Sequence, residues 1–484
     1  MKKEIYLPYF ENKKVTVMGL GLLGRGLGDT EFLAKNGAEL IVTDKKTEAE
    51  LINSVSILSK YENIIYHLGE HKVEDFENRD FILKAAGVAL DNQYIASARE
   101  KDIPIYMSAS LLSDIVMKNL PNVKIIGVTG TRGKSTTTQL IAHILKSAGM
   151  KVHLGGNIRG VANLPLLDEI EDGDYLVLEL DSWQLQGFGD MKISPHIAVF
   201  TSFLDDHMNY YKNDKELYFN DKANIYRNQK ELDILIVSPE AEEEIKKRDP
   251  NQEMVIAVNS HIETSLIGEH NQIAAKLAYE VASQCGLDDT TIREAIASFK
   301  AVEGRLEDMG FYKTNLINLD EIQGKDNVSS EVYKSYSERE TEVFDEEVRQ
   351  INKICKGIRV FNDNNGTTGD ATIKALESIK TTFNIKPILI VGGKDKGLPI
   401  ENLEKSIKEN TKAVIYLSGT GTDRLNLLKE YEFEKLSDCV DKAFALADEG
   451  DIILFSPAFA SFSKYFNNEY EKNDEFVRAV VKYK

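Results

Sequence analysis

Cysteine and long apolar runs are scarce in this chain. The 484 residues include only three cysteines, Cys285, Cys355 and Cys439, which lie far apart. A disulfide framework and a cysteine-based metal cluster are therefore excluded, and a reducing compartment is indicated. No stretch approaches the roughly 18 apolar residues that span a bilayer, and residues 1–8 lack the apolar core of a signal peptide. We expect a cytoplasmic protein without membrane insertion.

Positive charge is also in deficit. Lys and Arg total 59 and Asp and Glu total 78, so the net charge is −19. Nucleic acid and anionic membranes both require clustered positive charge, and we therefore expect neither as the main partner. A small anionic ligand remains compatible with this acidity, because a few backbone amides and one lysine suffice to bind a phosphate.

The chain is long enough for about three domains. Short apolar runs alternate with helical stretches along the whole sequence, which indicates parallel sheets with crossover helices. The fold class predicted is α/β, with three consecutive α/β domains. They comprise a Rossmann-like domain at residues 1–112, a P-loop ATPase-type central domain at 113–303 and a Rossmann-like C-terminal domain at 304–484. A polar stretch at about 313–353 is predicted to be an insertion.

The strongest local signal is a glycine-rich loop. Residues 127–136 read Gly-Val-Thr-Gly-Thr-Arg-Gly-Lys-Ser-Thr, between an apolar strand and a helical stretch. Glycines let consecutive amides point at phosphate oxygens, and the helix N-terminus adds a favourable dipole. Lys134 would place a charge on the outer phosphates and Ser135 a hydroxyl on Mg²⁺. The strict phosphate-loop pattern has glycine where Val128 stands, so a chance glycine-rich turn is the alternative.

This variant of the loop resembles that of the Mur ligases, which join amino acids to the peptidoglycan precursor. About nine motifs along the chain fit that family in order. The resemblance implies ATP and two Mg²⁺ ions as cofactors, with UDP-MurNAc-L-Ala and D-glutamate as substrates of the most similar members. The implied reaction phosphorylates the alanyl carboxylate, and the amine of D-glutamate then attacks the acyl phosphate. We expect a monomer.

Metal ligands are implied near the loop. Glu179 ends a predicted strand, a position where ligands collect in α/β domains, although a lone glutamate there is usually only solvated. The family motifs imply Ser135, Glu179, His207 and a carbamylated Lys222 as ligands. Without the resemblance, His207 would be a hydrogen-bonded loop histidine and Lys222 a surface residue. The implied catalytic set is Lys134, His207, Lys222 and Arg305.

Further motifs imply the ligand contacts. Those with ATP would be Gly130, Thr131, Gly133, Lys134, Ser135, Thr136, Asn271, Arg305 and Asp363. Those with the nucleotide-sugar substrate would be Gly19, Gly21, Leu22, Asp44, Asn157, Ser182 and Gln184. Those with the incoming amino acid would be Thr367, Lys396, Ser461 and Phe462, with Lys396 as counter-ion for a side-chain carboxylate.

Three alternatives stay open. Residues 19–24, Gly-Leu-Gly-Leu-Leu-Gly, follow a strand, and Asp44 ends the next one, which also fits an NAD-dependent dehydrogenase. That interpretation leaves the phosphate loop and the third domain unexplained. Departures from the family motifs at Asp181, Gly304 and Asn365 allow a ligase for a different amino acid. A nucleotide-binding homologue without catalysis is the third alternative.

Overall fold

The structure, a computed structural model, describes residues 1–22, 24–208, 210–257, 261–312, 357–461, 466 and 468–484. It divides into two compact units, Met1–Thr264 with Gln272–Phe299, and Ser265–Asn271 with Lys300–Lys484. The first unit holds two sheets and the second holds one. The prediction of three α/β domains is confirmed, while their boundaries stay predictions. The insertion predicted at 313–353 lies outside the described residues.

The first sheet is fully parallel. Its strands are β1 Lys14–Met18, β2 Glu39–Asp44, β3 Ile64–Leu68, β4 Phe81–Lys84 and β5 Ile105–Tyr106. They are ordered β3-β2-β1-β4-β5. Its helices are α1 Lys3–Tyr6, α2 Arg25–Lys35, α3 Ile52–Leu58, α4 Gln93–Glu100 and α5 Ser108–Asn119. Successive strands are added to one side of β1 up to β3 and to its other side from β4 onwards. At this switch in strand order, between β1 and β4, the carboxyl ends of the strands open a crevice.

The second sheet is likewise parallel. Its strands are β6 Lys124–Thr129, β7 Val152–Gly156, β8 Tyr175–Glu179, β9 Ile197–Phe200, β10 Ile234–Val237 and β11 Val255–Ile256. They are ordered β11-β10-β9-β6-β8-β7, which makes β6 a central strand flanked by β8 and β9. Its helices are α6 Lys134–Ser147, α7 Ser182–Met191, α8 Lys215–Ala223, α9 Pro239–Arg248, α10 Glu269–Gln284 and α11 Asp289–Ser298.

The third sheet is mixed. Its strands are β12 Glu307–Tyr312, β13 Ile358–Asn362, β14 Ile388–Gly392, β15 Ala413–Leu417, β16 Glu432–Phe433 and β17 Ile452–Phe455. In the order β12-β13-β17-β14-β15-β16, only the edge pair β12–β13 is antiparallel. Its helices are α12 Gly369–Phe383, α13 Glu401–Asn410, α14 Thr420–Arg424, α15 Leu436–Leu446 and α16 Glu469–Val481.

The apolar core explains why the first two sheets form one unit. A single cluster of buried side chains runs from β1 and β2 through α5 to β8 and α7. Helix α5 is the link, because its buried face includes Leu111, Leu112 and Ile115. The third sheet has its own apolar clusters on both faces. Within the described residues, no helix has both the length and the apolar content needed to cross a membrane.

Candidate active site

The phosphate loop connects β6 to α6 and is pressed against the segment that follows β9. Gly130 and Gly133 have φ angles of +145° and +83°, which L side chains rarely adopt. A Cβ on Gly130 would lie 2.0 Å from Thr201 Oγ1 and 2.8 Å from the Ser202 nitrogen. Position 130 therefore accepts only glycine without a shift of the neighbouring backbone.

Hydrogen bonds fix the loop before any ligand arrives. The amides of Thr131 and Arg132 donate to the Ser202 carbonyl and hydroxyl, at 2.8 and 2.9 Å. Lys134 Nζ donates to the Gly130 and Thr131 carbonyls, at 2.9 and 3.1 Å. Its charge is thus held over the loop at the N-terminus of a 14-residue helix, where the helix dipole also favours an anion.

Two further loop residues lie in the first turn of α6. Ser135 and Thr136 follow Lys134 directly, and Thr136 is buried. Thr131 ties the loop to α8, because its Oγ1 lies 3.2 Å from the Tyr218 hydroxyl. The structure therefore brings the predicted residues from Gly130 to Thr136 into one loop and its helix start.

Lys222 lies near the end of α8 and points into this loop. Its side chain is almost fully buried, and its Nζ donates to the Gly130 carbonyl at 2.8 Å. Lys134 donates to the same carbonyl. Burial, and next the neighbouring charge of Lys134, lower the pKa of Lys222 well below its ordinary value. The uncharged amine of Lys222 is therefore favoured more strongly than that of an exposed lysine.

Glu179 ends β8 beside the strand that leads into the loop. Its residue partner across the sheet is Val128, and only 3% of its surface is exposed. Among the described residues, its carboxylate has no hydrogen-bond or ion-pair partner. A nearly buried carboxylate without a partner favours a cation. Mg²⁺ is typically held by one or two carboxylates together with substrate phosphates and water, so Glu179 with Ser135 fits a magnesium site.

His207 lies on the loop after β9, at a φ of +54°. Its ring centroid is 4.7 Å from that of Trp183 and 6.5 Å from that of Tyr218. Its Nε2 is 3.7 Å from Asp206 Oδ2. No cluster of three or more His, Cys, Asp or Glu side chains able to hold a metal occurs within the described ranges.

The first sheet presents the predicted glycine turn at its carboxyl edge. Gly19 and Gly21 have φ angles of +94° and +65°. The Gly21 amide donates to Asp44 Oδ2 at 3.1 Å, and the Lys46 amide donates to Asp44 Oδ1 at 2.9 Å. Asp44 thus holds the turn to the end of β2. Leu22, at the tip of the turn, is 47% exposed.

A cavity of about 500 Å³ opens at the same edge. It is lined by Lys45, Gly69, Glu70, His71, Asn92, Gln93 and Tyr94. The His71 ring lies 5.4 Å from the Tyr94 ring, and its Nδ1 is 2.8 Å from Thr43 Oγ1. Burial lowers the pKa of His71, which favours a neutral imidazole. Sequence reasoning missed Lys45 and His71, because neither belongs to a recognisable motif.

Asn157 joins the first two sheets. It follows β7, and its Oδ1 accepts a hydrogen bond from Arg25 Nη1 at the start of α2. The backbone amide of Asn157 donates to the Glu179 backbone carbonyl at 2.7 Å. Asn157 therefore connects the start of α2, which follows the glycine turn, to the end of β8 beside the phosphate loop. Arg25 is a second residue that the sequence analysis did not identify.

The departure at Asp181 has a structural explanation. Asp181 is the N-cap of α7, and its Oδ1 accepts from the Gln184 amide at 2.8 Å. The Gln184 side chain accepts in turn from the Asp181 amide at 3.2 Å. This capping box occupies the side-chain oxygen and the backbone amide of Gln184. Ser182 is buried in the first turn of the same helix.

Within the second unit, the predicted amino-acid contacts come together. Lys396 Nζ donates to Thr367 Oγ1 at 3.1 Å. Ser461 is buried, and its hydroxyl has no hydrogen-bond partner among the described residues. Its neighbour Ala460 forms an antiparallel bridge with Lys394, which brings Ser461 beside the loop that carries Lys396. Phe462 lies outside the described residues.

Asp363 organises the turn after β13. Its Oδ2 accepts from Ser456 Oγ at 2.8 Å, and its Oδ1 accepts from the Leu306 amide at 3.2 Å. Arg305 precedes Leu306 and is half-buried.

The two motif departures in this domain contact each other. The Gly304 carbonyl accepts from the Asn365 amide at 3.0 Å. A Cβ on Gly304, at a φ of +68°, would meet Asn365 Nδ2 at 3.1 Å.

Asn271 lies in the first turn of α10. It is buried, and its Nδ2 donates to the Ile267 carbonyl at 2.8 Å. Gly268, with a φ of +94°, precedes the helix, and a Cβ there would lie 2.3 Å from Ser378 Oγ. The turn that presents Asn271 therefore packs closely on α12.

Comparison with known proteins identifies the family. Residues 128–287 match the family model of the Mur ligase middle domain, and residues 13–107 match the MurD-like N-terminal domain of Mur ligases. The UDP-N-acetylmuramoylalanine–D-glutamate ligase of Borreliella afzelii is 33% identical over 485 residues, spanning 98% of this chain and 99% of that protein. The chain belongs to the Mur ligase family.

Other Mur ligases extend the comparison. The UDP-N-acetylmuramoylalanine–D-glutamate ligase of Ligilactobacillus salivarius is 29% identical, spanning 98% of this chain and 97% of that protein. The UDP-N-acetylmuramate–alanine ligase of Thermotoga maritima superposes with a TM-score of 0.57 at 18% identity, over 98% of this chain and 100% of that one. The MurF ligase of Thermotoga maritima, solved with ADP, has a TM-score of 0.56 at 14% identity, over 100% of this chain and 99% of that one. The two structures share the fold.

Proposed function

We propose that this Mur ligase family member joins D-glutamate to UDP-N-acetylmuramoyl-L-alanine in cytoplasmic peptidoglycan precursor synthesis, with ATP as the energy source. The observation that carries the proposal is the convergence of Lys134 and Lys222 on the Gly130 carbonyl. Next to them, Glu179 ends β8 with a nearly buried carboxylate that has no partner in the described part of the chain. Full-length relatives named for this reaction support the choice of substrates.

The phosphate loop would bind the phosphates of ATP. Its glycine backbone, the N-terminus of α6 and the Lys134 ammonium all favour a polyanion at one place. Asn271, Arg305 and Asp363 remain the proposed further contacts with the nucleotide. Two Mg²⁺ ions, held by Ser135, Glu179, His207 and modified Lys222, would offset phosphate charge.

The reaction proceeds in two steps. The terminal alanyl carboxylate attacks the γ-phosphorus of ATP, so that an acyl phosphate forms and ADP leaves. The neutral amine of D-glutamate then attacks the acyl carbon, and the tetrahedral intermediate expels inorganic phosphate and loses a proton to give the amide. Lys134 lowers the barrier because it offsets the negative charge that would otherwise repel the attacking carboxylate.

Lys222 has the properties that carbamylation requires. Its buried, low-pKa amine can add to carbon dioxide, forming an N–C bond and releasing one proton. The product is an anion, whereas the unmodified side chain is an amine or its ammonium form. The carbamate offers carboxylate oxygens, which Mg²⁺ prefers, so the proposed role of Lys222 as a magnesium ligand depends on the modification. Intact-mass measurement in bicarbonate buffer, with Lys222→Arg as control, tests it, and equal masses for the two proteins after correction for the substitution contradict it.

The nucleotide-sugar substrate would lie at the carboxyl edge of the first sheet. Gly19, Gly21 and Leu22 form a turn that can seat a diphosphate, and Asp44 holds that turn to β2. The cavity next to it has the volume of a small-molecule site. Asn157 is the proposed contact on the side of the second sheet.

D-glutamate would bind in the C-terminal domain. Lys396 supplies a positive charge, while Thr367 and Ser461 supply hydroxyls. The Ser461 hydroxyl is the strongest indication, because it has no partner among the described residues and buried polar atoms are normally hydrogen-bonded.

Ligation with purified protein tests the proposal. The protein is incubated with ATP, Mg²⁺ and UDP-MurNAc-L-Ala, and D- and L-amino acids are added one at a time. We expect a new amide product by mass spectrometry, and stoichiometric ADP, with D-glutamate alone. A product with another amino acid would show a ligase of different specificity, and no product with any would show a homologue without catalysis.

A further inference from the structure

Lys84 is a buried lysine that none of the sequence motifs includes. It ends β4, and only 2% of its surface is exposed. Its Nζ donates to three carbonyls of the chain that follows, those of Ala85 at 3.2 Å, Ala86 at 3.3 Å and Val88 at 2.6 Å. All three hydrogen-bond donors of one ammonium group are therefore spent on folding a single loop, residues 85–88.

This loop lies at the switch in strand order between β1 and β4 of the first sheet. The Ala85 amide donates to the Met18 carbonyl at 2.9 Å, which joins the loop to the end of β1. A Cβ on Gly19 would lie 2.8 Å from Ala85 Cβ and 3.9 Å from Val88 Cγ2. The loop thus forms the wall of the glycine turn, and any displacement of the loop changes the space above that turn.

The position of Lys84 is costly for a cation. Within the described residues it has no ion-pair partner. The charges that act on it are Asp181 at the N-cap of α7, Asp190 on α7, Asp221 on α8 and Arg99 on α4. Burial is the largest effect and lowers its pKa to about 7. An apolar side chain would avoid this cost, so packing alone does not explain a lysine here.

We propose that Lys84 is a positioning residue for the nucleotide-sugar substrate: its amine folds residues 85–88 against the Gly19 turn, and the two together shape the site for the diphosphate. The inference rests on the proposed function, because that function places the diphosphate at this turn. Its three hydrogen bonds go to the loop, so the proposed role of Lys84 is exerted through residues 85–88.

Isothermal titration calorimetry of Lys84→Met tests this positioning. We expect UDP-MurNAc-L-Ala to bind about 10- to 100-fold more weakly, which corresponds to the loss of hydrogen bonds from a charged group. The affinity for ADP should stay within about 2-fold, since the hydrogen bonds of Lys84 go to residues 85–88 and not to the phosphate loop. Lys101→Met is the matched control, because Lys101 belongs to the same domain with its side chain 47% exposed.

The outcomes separate the two proposals. If the wild type does not bind UDP-MurNAc-L-Ala, the proposed function fails. If the wild type binds it and Lys84→Met binds it equally well, or loses both ligands equally, the positioning role is wrong. Hydrogen exchange of the wild type adds a measurement that needs no variant: amides of residues 85–88 should be protected by UDP-MurNAc-L-Ala and not by ADP, and unchanged exchange overturns the inference.

Discussion

The burial of Lys84 predicts a specific dependence of stability on pH. In the folded protein its pKa is about 7, whereas an exposed lysine titrates near 10.5. Between these values the unfolded chain holds a proton that the folded chain has released, so raising the pH stabilises the fold. The free energy of unfolding should therefore rise by about 2.5 kcal/mol between about pH 7.5 and pH 9.5 from this group alone. Below about pH 7 the full cost of burying the charge is present.

Comparison of wild type and Lys84→Met isolates this effect, since other titrating groups are common to both proteins. The single tryptophan, Trp183, lies on α7 in the same compact unit as Lys84, and its fluorescence reports unfolding of that unit in urea. The difference in unfolding free energy, wild type minus variant, should increase by about 2.5 kcal/mol over the pH range. Parallel pH curves would refute the reasoning, because they would show that Lys84 keeps its proton and is solvated.

Three further substitutions test the site. Lys134→Met should lower ATP turnover about 100- to 1,000-fold in a coupled ADP assay, whereas Lys146→Met, at an exposed position on the same helix, should leave turnover unchanged. An equal loss of turnover in the two variants would contradict the role of the loop. Ser461→Ala should raise KM for D-glutamate about 10-fold without lowering Tm, while Ser456→Ala should cost about 1 kcal/mol of stability, because its hydroxyl bonds a buried carboxylate. Gly130→Ala should abolish ADP binding in calorimetry, since its Cβ would overlap Thr201; retained affinity would show that the loop can shift.

The parts of the fold that the sequence predicts are those with dense local signals. The strands β9, β10 and β15 are continuous apolar runs in the sequence, which is the pattern from which the parallel sheets were predicted. Glycines followed by Lys134 marked the phosphate loop, because loop and helix start are contiguous in sequence. The cap of α7 also carried a readable signal, Asp181 followed three residues later by Gln184.

What the sequence did not predict depends on tertiary contacts. Short edge strands such as β5 and β16 have two residues each and gain their pairing only from a neighbouring strand. Lys84 looks like a surface lysine until the sheet buries it, and Arg25 meets Asn157 only across two domains. The cavity beside His71 is assembled from three separate chain segments, so no local pattern indicates it.

Isotope transfer tests the central claim most directly. If the alanyl carboxylate attacks ATP at the phosphate loop, then UDP-MurNAc-L-Ala labelled with ¹⁸O in that carboxylate must pass one labelled oxygen to the inorganic phosphate released on ligation to D-glutamate. We predict labelled phosphate in proportion to the amide formed by the wild type, and about 100- to 1,000-fold less of both from Lys134→Met in the same time. Amide formation with unlabelled phosphate would contradict carboxyl activation by phosphoryl transfer, and the proposed mechanism with it.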